Sequence, residues 1–164
     1  MAATSAVRVL RAHGVPFSEH SYRYEEKGGT RVSSHALGVD EHQVVKTLVM
    51  QDDQRRPLII LMHGDCTVST RALARQIGAR SVTPCEPATA ERHTGYQVGG
   101  TSPFGIRTPL PIYVERSILA LPQLYINGGR RGYLVSMVPS ELQRVLSPAP
   151  VDVALDARRT DAGQ

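Results

Sequence analysis

Val44-Val45-Lys46-Thr47-Leu48-Val49-Met50, then Asp52-Asp53-Gln54-Arg55-Arg56, then Leu58-Ile59-Ile60-Leu61-Met62 is the stretch on which the fold depends. Two apolar, β-branched runs flanking five polar residues predict a hairpin. The second run has no polar alternation, so it predicts a strand buried on both faces, which needs cover from two sides. Outward from the hairpin, helices with suitable ends alternate with strands. A Thr4 or Ser5 cap opens a helix through Val7 and Leu10 to Gly14, and 30–37 forms another, closed by Gly38. Ser69 or Thr70 opens a helix carrying Leu73, Ala74 and Ile77 that ends at Gly78. Pro87 begins a helix stopped by Gly95, and Pro139 begins one over 139–146. Asp40 to Gln43 predicts a capping box. Further strands are expected over 15–24, 110–115, 124–127 and 133–138, with Gly128-Gly129 turning the chain between the last two. From Ser147 a Pro-Ala-Pro stretch and a charged end predict a frayed terminus, flexible over 154–164. The architecture expected is one α+β domain over 1–153, a mixed sheet with helices outside.

The chain has 164 residues, 41% hydrophobic and 21% charged, which excludes a coiled coil, a collagen-like rod and wholesale disorder. No apolar run approaches the length of a membrane span. The first residues lack an apolar signal region, so the expected compartment is the cytoplasm. Cys66 and Cys85 make no disulfide framework. The net charge of +4 admits a polyanionic partner. Of 19 basic residues only Lys27 and Lys46 are lysines. Lys27 sits in a polar loop, whereas Lys46 sits in an apolar strand. An amine in an apolar wall titrates low or meets an anion, unless its stem carries it to solvent from an edge strand.

Gly95-Tyr96-Gln97-Val98-Gly99-Gly100-Thr101-Ser102-Pro103-Phe104-Gly105 holds four glycines in eleven residues. Such a loop is either a plain turn or a set of backbone N–H groups free to converge on an anionic oxygen. It lacks the Gly-Lys-Ser/Thr of a P-loop and the spacing of a dinucleotide fingerprint. No Gly-Xaa-Ser-Xaa-Gly elbow occurs, so a protein nucleophile is not expected. His63-Gly64-Asp65-Cys66 has ligand-like spacing but no second pair, and no metal site or cofactor is expected. Arg130-Arg131 suits either a phosphate contact or an exposed charged turn.

Three ordered motifs carry a resemblance: Gln43-Val44-Val45-Lys46-Thr47-Leu48, the glycine-rich stretch from Thr94 to Gly105, and Asn127-Gly128-Gly129-Arg130-Arg131-Gly132. Together they resemble the YbaK/EbsC family, free-standing relatives of the editing domain of prolyl-tRNA synthetase, whose namesake is a bacterial Cys-tRNA(Pro) deacylase. The resemblance covers roughly residues 5–153 and implies a curved mixed sheet and a pocket for the 3′-aminoacyl-adenosine of a mischarged tRNA. It implies that Lys46 is the functional lysine, that Gly99 to Pro103 is the family's Gly-Xaa-Xaa-Xaa-Pro loop, and that Tyr22 is its pocket aromatic. Phe104, Gly105, Gly129 and Arg130 are expected beside the substrate. Namesake-like members carry Leu-Asp after the Gly-Gly-Lys/Arg-Arg-Gly turn; this chain carries Tyr133-Leu134, so that carboxylate is absent. It also has Thr30-Arg31-Val32-Ser33-Ser34 where many relatives open the second helix with an acidic motif.

An aminoacyl ester is already activated, so its hydrolysis needs positioning and charge stabilisation more than a strong nucleophile. Lys46 is expected to hold a terminal phosphate or the ribose edge, and the amides of Gly99, Gly100, Thr101 and Ser102 to stabilise the oxyanion. The attacking group is a water or, as the resemblance implies for a cysteinyl ester, the substrate's own thiol. The expected activity is trans-editing of mischarged tRNA, foremost Cys-tRNA(Pro), with prolyl-tRNA synthetase as a candidate partner. Two alternatives stay open: clearance of another small residue such as Ala, Ser or 2-aminobutyrate, and a non-catalytic module that binds tRNA or a synthetase.

Overall fold

The computed structural model describes residues 2–156. Its spine is the expected hairpin, β2 (Val44–Asp52) and β3 (Pro57–His63), paired antiparallel from Val45↔His63 to Gln51↔Pro57. Asp52 closes the turn between them, its Oδ1 accepting the amides of Gln54 and Arg56 at 2.9 Å. From Leu58 to His63 every residue of β3 is buried. Ile59 and Leu61 enter one apolar cluster while Leu58, Ile60 and Met62 enter another, which is the two-residue alternation of a strand. The first cluster is completed by Ala6, Val7 and Leu10 of α1 (Ser5–Ala12) and Leu142 of α5 (Pro139–Leu146). Leu73 and Ala74 of α3 (Thr70–Ile77) complete the second. Each large apolar side chain buried this way contributes about 1.5–3 kcal/mol, which is why neither face of the hairpin stays bare.

The main sheet runs β1 (Ser18–Ser21), β8 (Tyr133–Met137), β7 (Leu124–Arg130), β2, β3, β6 (Ile112–Glu115), β9 (Ala149–Val151). The pairs β2·β7, β3·β6 and β6·β9 are parallel and the others antiparallel, so the sheet is mixed. A short β5 (Val82–Pro84) also pairs with β2, and β4 (Cys66–Val68) pairs with β10 (Ala154–Asp156) in a separate ribbon. The remaining helices are α2 (Gly29–Leu37) and α4 (Pro87–Thr94). Local caps form as the chain's chemistry dictates: Thr4 Oγ1 accepts the Val7 amide and Ser69 Oγ that of Ala72.

Four expectations need correction. The strand over 15–24 shrinks to the four residues of β1. The capping box is a single 3-10 turn, Glu41–Gln43, in which Gln43 Nε2 donates to the Gln123 carbonyl instead of reaching back. Gly128-Gly129 is no hairpin turn but lies inside β7 as a bulge, with the register shifting between Asn127 and Arg130. Asn127 Oδ1 causes this by accepting the amides of Gly129 and Arg130 at 2.7 and 3.1 Å, and the chain reverses only at Arg131-Gly132. Finally, the terminus expected to fray contributes β9 and β10. The buried carboxylate of Glu115 holds it, accepting the Val153 and Ala154 amides at 2.8 and 2.9 Å. The rest of the expected tail, 157–164, lies outside the described residues. Among the described residues no helix is long and apolar enough to cross a membrane.

Candidate active site

Along one edge of β2, β7 pairs with Val44 and Val45 and β5 with Met50 to Asp52. Between them the edge at Lys46–Val49 has no strand beside it, and there a cavity of about 590 Å³ opens. The Val44 carbonyl accepts from Gly64 on the β3 side, and the Val49 carbonyl accepts from Cys85 on the other. By strand alternation the N–H and C=O of Thr47 therefore point into the gap. Thr47 Oγ1 is buried and has no hydrogen-bond partner among the described residues. A buried hydroxyl left so costs roughly 1–3 kcal/mol.

Lys46 lines the same cavity. Its Nζ donates to the Cys66 carbonyl oxygen at 2.5 Å, leaving two of the three ammonium donors for a ligand. Burial pushes its pKa down from the usual lysine value, while Cys66, Glu41 and Asp65 pull it partly back. The rest of the wall joins an apolar stretch, Val32, Leu48, Val49, Pro87, Ala90 and Leu134, to charged residues at Glu25, Glu26 and Lys27. Leu134 is 4% exposed, so the position where namesake-like relatives carry a carboxylate is here a buried apolar surface. Tyr22 lines the cavity too, its hydroxyl pushed above the usual tyrosine value by burial.

The glycine-rich loop reaches this cavity through Val98, Gly99 and Thr101. Neither the Gly99 nor the Thr101 amide has an acceptor among the described residues, so both can serve a ligand oxygen. Gly99 has φ +90° and lies against Tyr24, whose Oη would stand 2.5 Å from a Cβ placed there. Two anchors fix the loop: Asn127 Nδ2 donates to the Gly99 carbonyl at 3.2 Å and Arg131 Nε to that of Val98 at 2.8 Å.

Several expected site residues stand elsewhere. The Gly100 amide is spent in a turn on the Gln97 carbonyl, and a Cβ at Gly100 would come within 2.8 Å of the Arg130–Arg131 backbone, so this glycine serves packing. Ser102 and Phe104 are fully buried, and Ser102 Oγ accepts the Phe104 amide. Pro103 is buried beside them, and Gly105 abuts the Ser5 backbone of α1. None of these four lines the cavity. Gly129 belongs to the bulge, and Arg130 lies over the Tyr133 ring at 4.0 Å. Arg131 occupies the rim instead, with its guanidinium 4.9 Å from the Tyr24 ring centroid. Thr47, Tyr24, Asn127 and Arg131 were missed. Thr47, Asn127 and Arg131 stand inside the quoted motifs without having been singled out for the cavity, because their place there depends on which edge of β2 stays open.

Neither thiol is a ready nucleophile. Burial, reinforced by Asp65, pushes the Cys66 thiol up to about 12, and burial also raises that of Cys85, which lines the cavity. His63 does not meet Cys66. Its Nδ1–H donates to the His42 carbonyl at 2.7 Å and its Nε2 lies 2.8 Å from Ser117 Oγ, a buried bracing role. What the cavity offers is an ammonium, a free strand edge and two free amides, a set suited to holding an ester and stabilising charge on its carbonyl oxygen.

A family model described as the aminoacyl-tRNA editing domain matches residues 29–145, which include every one of these groups except Tyr22 and Tyr24. The chain belongs to that family. Its activity is accordingly that of an aminoacyl-tRNA deacylase, an ester hydrolase of translation fidelity. It is 26% identical to EbsC of Enterococcus faecalis, a protein named for Cys-tRNA(Pro)/Cys-tRNA(Cys) deacylation, over 85% of each chain. It is also 27% identical to a proline–tRNA ligase of Lactococcus lactis, over 61% of this chain and 16% of the ligase. Among solved structures, a protein described as a trans-editing enzyme for prolyl-tRNA synthetase superposes with TM-score 0.78 at 24% identity, covering 94% of this chain and 99% of that one. A hypothetical protein superposes with TM-score 0.84 at 23% identity, covering 92% and 99%. At those identities the two structures establish the shared fold.

Proposed function

We propose that this deacylase works in trans on tRNA(Pro), removing mischarged cysteine in the cytoplasm, where tRNA is charged. One observation carries the proposal: Lys46, Gly99 and Thr101 line one cavity, the last two with amides that have no acceptor among the described residues, beside a strand edge left free at Thr47. Lys46 holds the ribose edge or terminal phosphate of the aminoacyl-adenosine through its two remaining donors. The Gly99 and Thr101 amides receive the negative charge that develops on the ester carbonyl oxygen. Thr47, through the free N–H and C=O of its strand edge, fixes the orientation of the ester. With no competent protein nucleophile in reach, the substrate thiol supplies the attack. Its sulfur bonds the carbonyl carbon, the bond to the ribose oxygen breaks, and that oxygen takes up a proton. A thiol ionises near pH 8.5, far below a hydroxyl, so cysteine has the nucleophile that serine lacks. The likeness to proline–tRNA ligases supports prolyl-tRNA synthetase as the protein that works alongside it.

A second substrate class has its own support. Leu134 makes the wall apolar where a carboxylate would grip a polar handle, which favours small apolar residues such as alanine or 2-aminobutyrate. A deacylation panel with tRNA(Pro) carrying Cys, Ala, Ser, 2-aminobutyrate or Pro separates the two. The first proposal expects Cys to be cleared far faster than Ser, beyond the roughly 10–200-fold that pocket size alone provides. Equal rates on Cys, Ser and Ala refute thiol attack, and preference for Ala or 2-aminobutyrate establishes the second substrate class.

A further inference from the structure

On the side of Lys46 away from the substrate cavity, three side chains of different chemistry meet. His42, in the 3-10 turn before β2, places Nδ1 2.8 Å from Asp65 Oδ1. Cys66, the first residue of β4, donates its Sγ–H to the same oxygen at 3.5 Å. All three ligand atoms lie within 4.8 Å of one another. We propose that His42, Asp65 and Cys66 form a site for a zinc-class divalent metal, whose occupancy clips the start of β2 to the β3–β4 turn directly beneath Lys46.

The geometry supports coordination. With zinc bonds of about 2.0–2.1 Å to nitrogen and oxygen and about 2.3 Å to sulfur, tetrahedral edges are about 3.4 Å for N···O and about 3.6 Å for S···O. The S···O separation already fits, and the N···O separation must open by about 0.6 Å. It can do so, because the His42 and Asp65 side chains are 42% and 43% exposed. Their exposure also leaves the fourth position to water. One carboxylate oxygen now accepts two hydrogen bonds, and the cation would take the place of the two protons between the donors. On binding, the Cys66 proton leaves for solvent and a neutral imidazole shifts its proton from Nδ1 to Nε2. The ring is already braced, stacked on His63 with centroids 3.7 Å apart, and the His42 carbonyl is held by His63 Nδ1–H. A thiolate, an imidazole and one carboxylate select zinc-like ions over magnesium or calcium, which take oxygen ligands. The link to the substrate cavity is a single residue long, since the Cys66 carbonyl is the acceptor of Lys46 Nζ.

Cobalt(II) is the probe, titrated into the metal-free full chain. One equivalent is expected to bind, with a sulfur-to-cobalt charge-transfer band and tetrahedral d–d absorption, both removed by Zn²⁺. Cys66→Ser should lose the charge-transfer band and Cys85→Ser should keep it. His42→Gln and Asp65→Asn alter exposed side chains and leave folding intact; each should weaken binding about tenfold or more. Zn²⁺ at 100 times its Kd should raise the Tm of the wild type but not that of His42→Gln. Absence of the band at one equivalent, its persistence in Cys66→Ser, or undiminished affinity in both His42→Gln and Asp65→Asn overturns the site. None of these readouts depends on which aminoacyl-tRNA is cleared.

Discussion

Replacing Lys46 by methionine keeps an unbranched stem of similar length in the cavity wall and deletes only the ammonium. Two consequences follow, of very different size. The ester loses a cationic donor at the place where charge is held, and removal of one such preorganised donor costs about 10²–10³ in turnover. The fold loses one hydrogen bond to the Cys66 carbonyl, about 0.5–1.5 kcal/mol. Burying methionine instead of an ammonium whose charged form burial disfavours offsets that loss. For a chain of this size 1 kcal/mol moves Tm by about 2–4 °C, so Tm should stay within about 4 °C of wild type. The pH dependence has a definite sign. The folded-state pKa of Lys46 is lowered, so between that value and the ordinary 10.5 the unfolded chain binds more protons, and stability gained from this group rises with pH. Activity runs the other way, falling as the pH climbs through the lowered pKa, because the deprotonated amine no longer stabilises charge. Lys46→Met should show neither trend. Single-turnover deacylation of aminoacyl-tRNA against pH, paired with thermal unfolding, reads both. A Lys46→Met rate within about threefold of wild type would refute the assignment, since that is under 1 kcal/mol of transition-state stabilisation. So would a rate loss matched by collapse of the fold. Lys46→Arg should also be poor, because a guanidinium fork is larger and aimed differently.

Gly99→Ala should lower turnover by about 10²–10³ while costing only about 1–2 kcal/mol of stability, because the strained φ and the Tyr24 contact displace a free amide without touching the core. Gly100→Ala should do the reverse first, destabilising by about 1–3 kcal/mol in urea unfolding as its Cβ wedges against the Arg130–Arg131 backbone; full stability would contradict its packing role. Leu134→Asp should raise discrimination for Cys over Ala esters in the deacylation panel, and an unchanged ratio would show that this wall does not choose the side chain. Burial opposes ionisation of Glu115, but hydrogen bonds from Ser117, Val153 and Ala154 outweigh it and hold its carboxyl below the usual value. Its stability contribution is therefore present above the unfolded pKa of about 4.3 and lost as pH falls through the folded one. Glu115→Gln should cost about 1.5–3 kcal/mol at neutral pH and flatten the acid limb of the unfolding profile.

Features that depend on neighbours in the chain were legible without coordinates. The β2–β3 hairpin, the Thr4 and Ser69 caps and the proline starts of α4 and α5 each follow from side chains a few residues apart. Lys46 stood out because an amine in an apolar strand is chemically conspicuous wherever the strand ends up, and Leu134 because it departs from a motif. Tertiary structure alone decided the rest. β4, β5, β9 and β10 are three residues each, too short to show a period, and exist because a distant segment supplies their partners. The cavity arises because β7 and β5 leave β2 at different points, a matter of register between segments some 80 residues apart in the case of β7. Within the glycine loop, composition offered several free amides, but the fold consumed that of Gly100 and kept those of Gly99 and Thr101. Arg131 faces the rim and Arg130 its own tyrosine because a bulge at Asn127 shifts the strand's alternation. His63 stands three positions from Cys66 in sequence, yet His42 is the histidine brought beside Asp65 and Cys66, since strand alternation and the turn before β2 set side-chain direction where sequence distance does not.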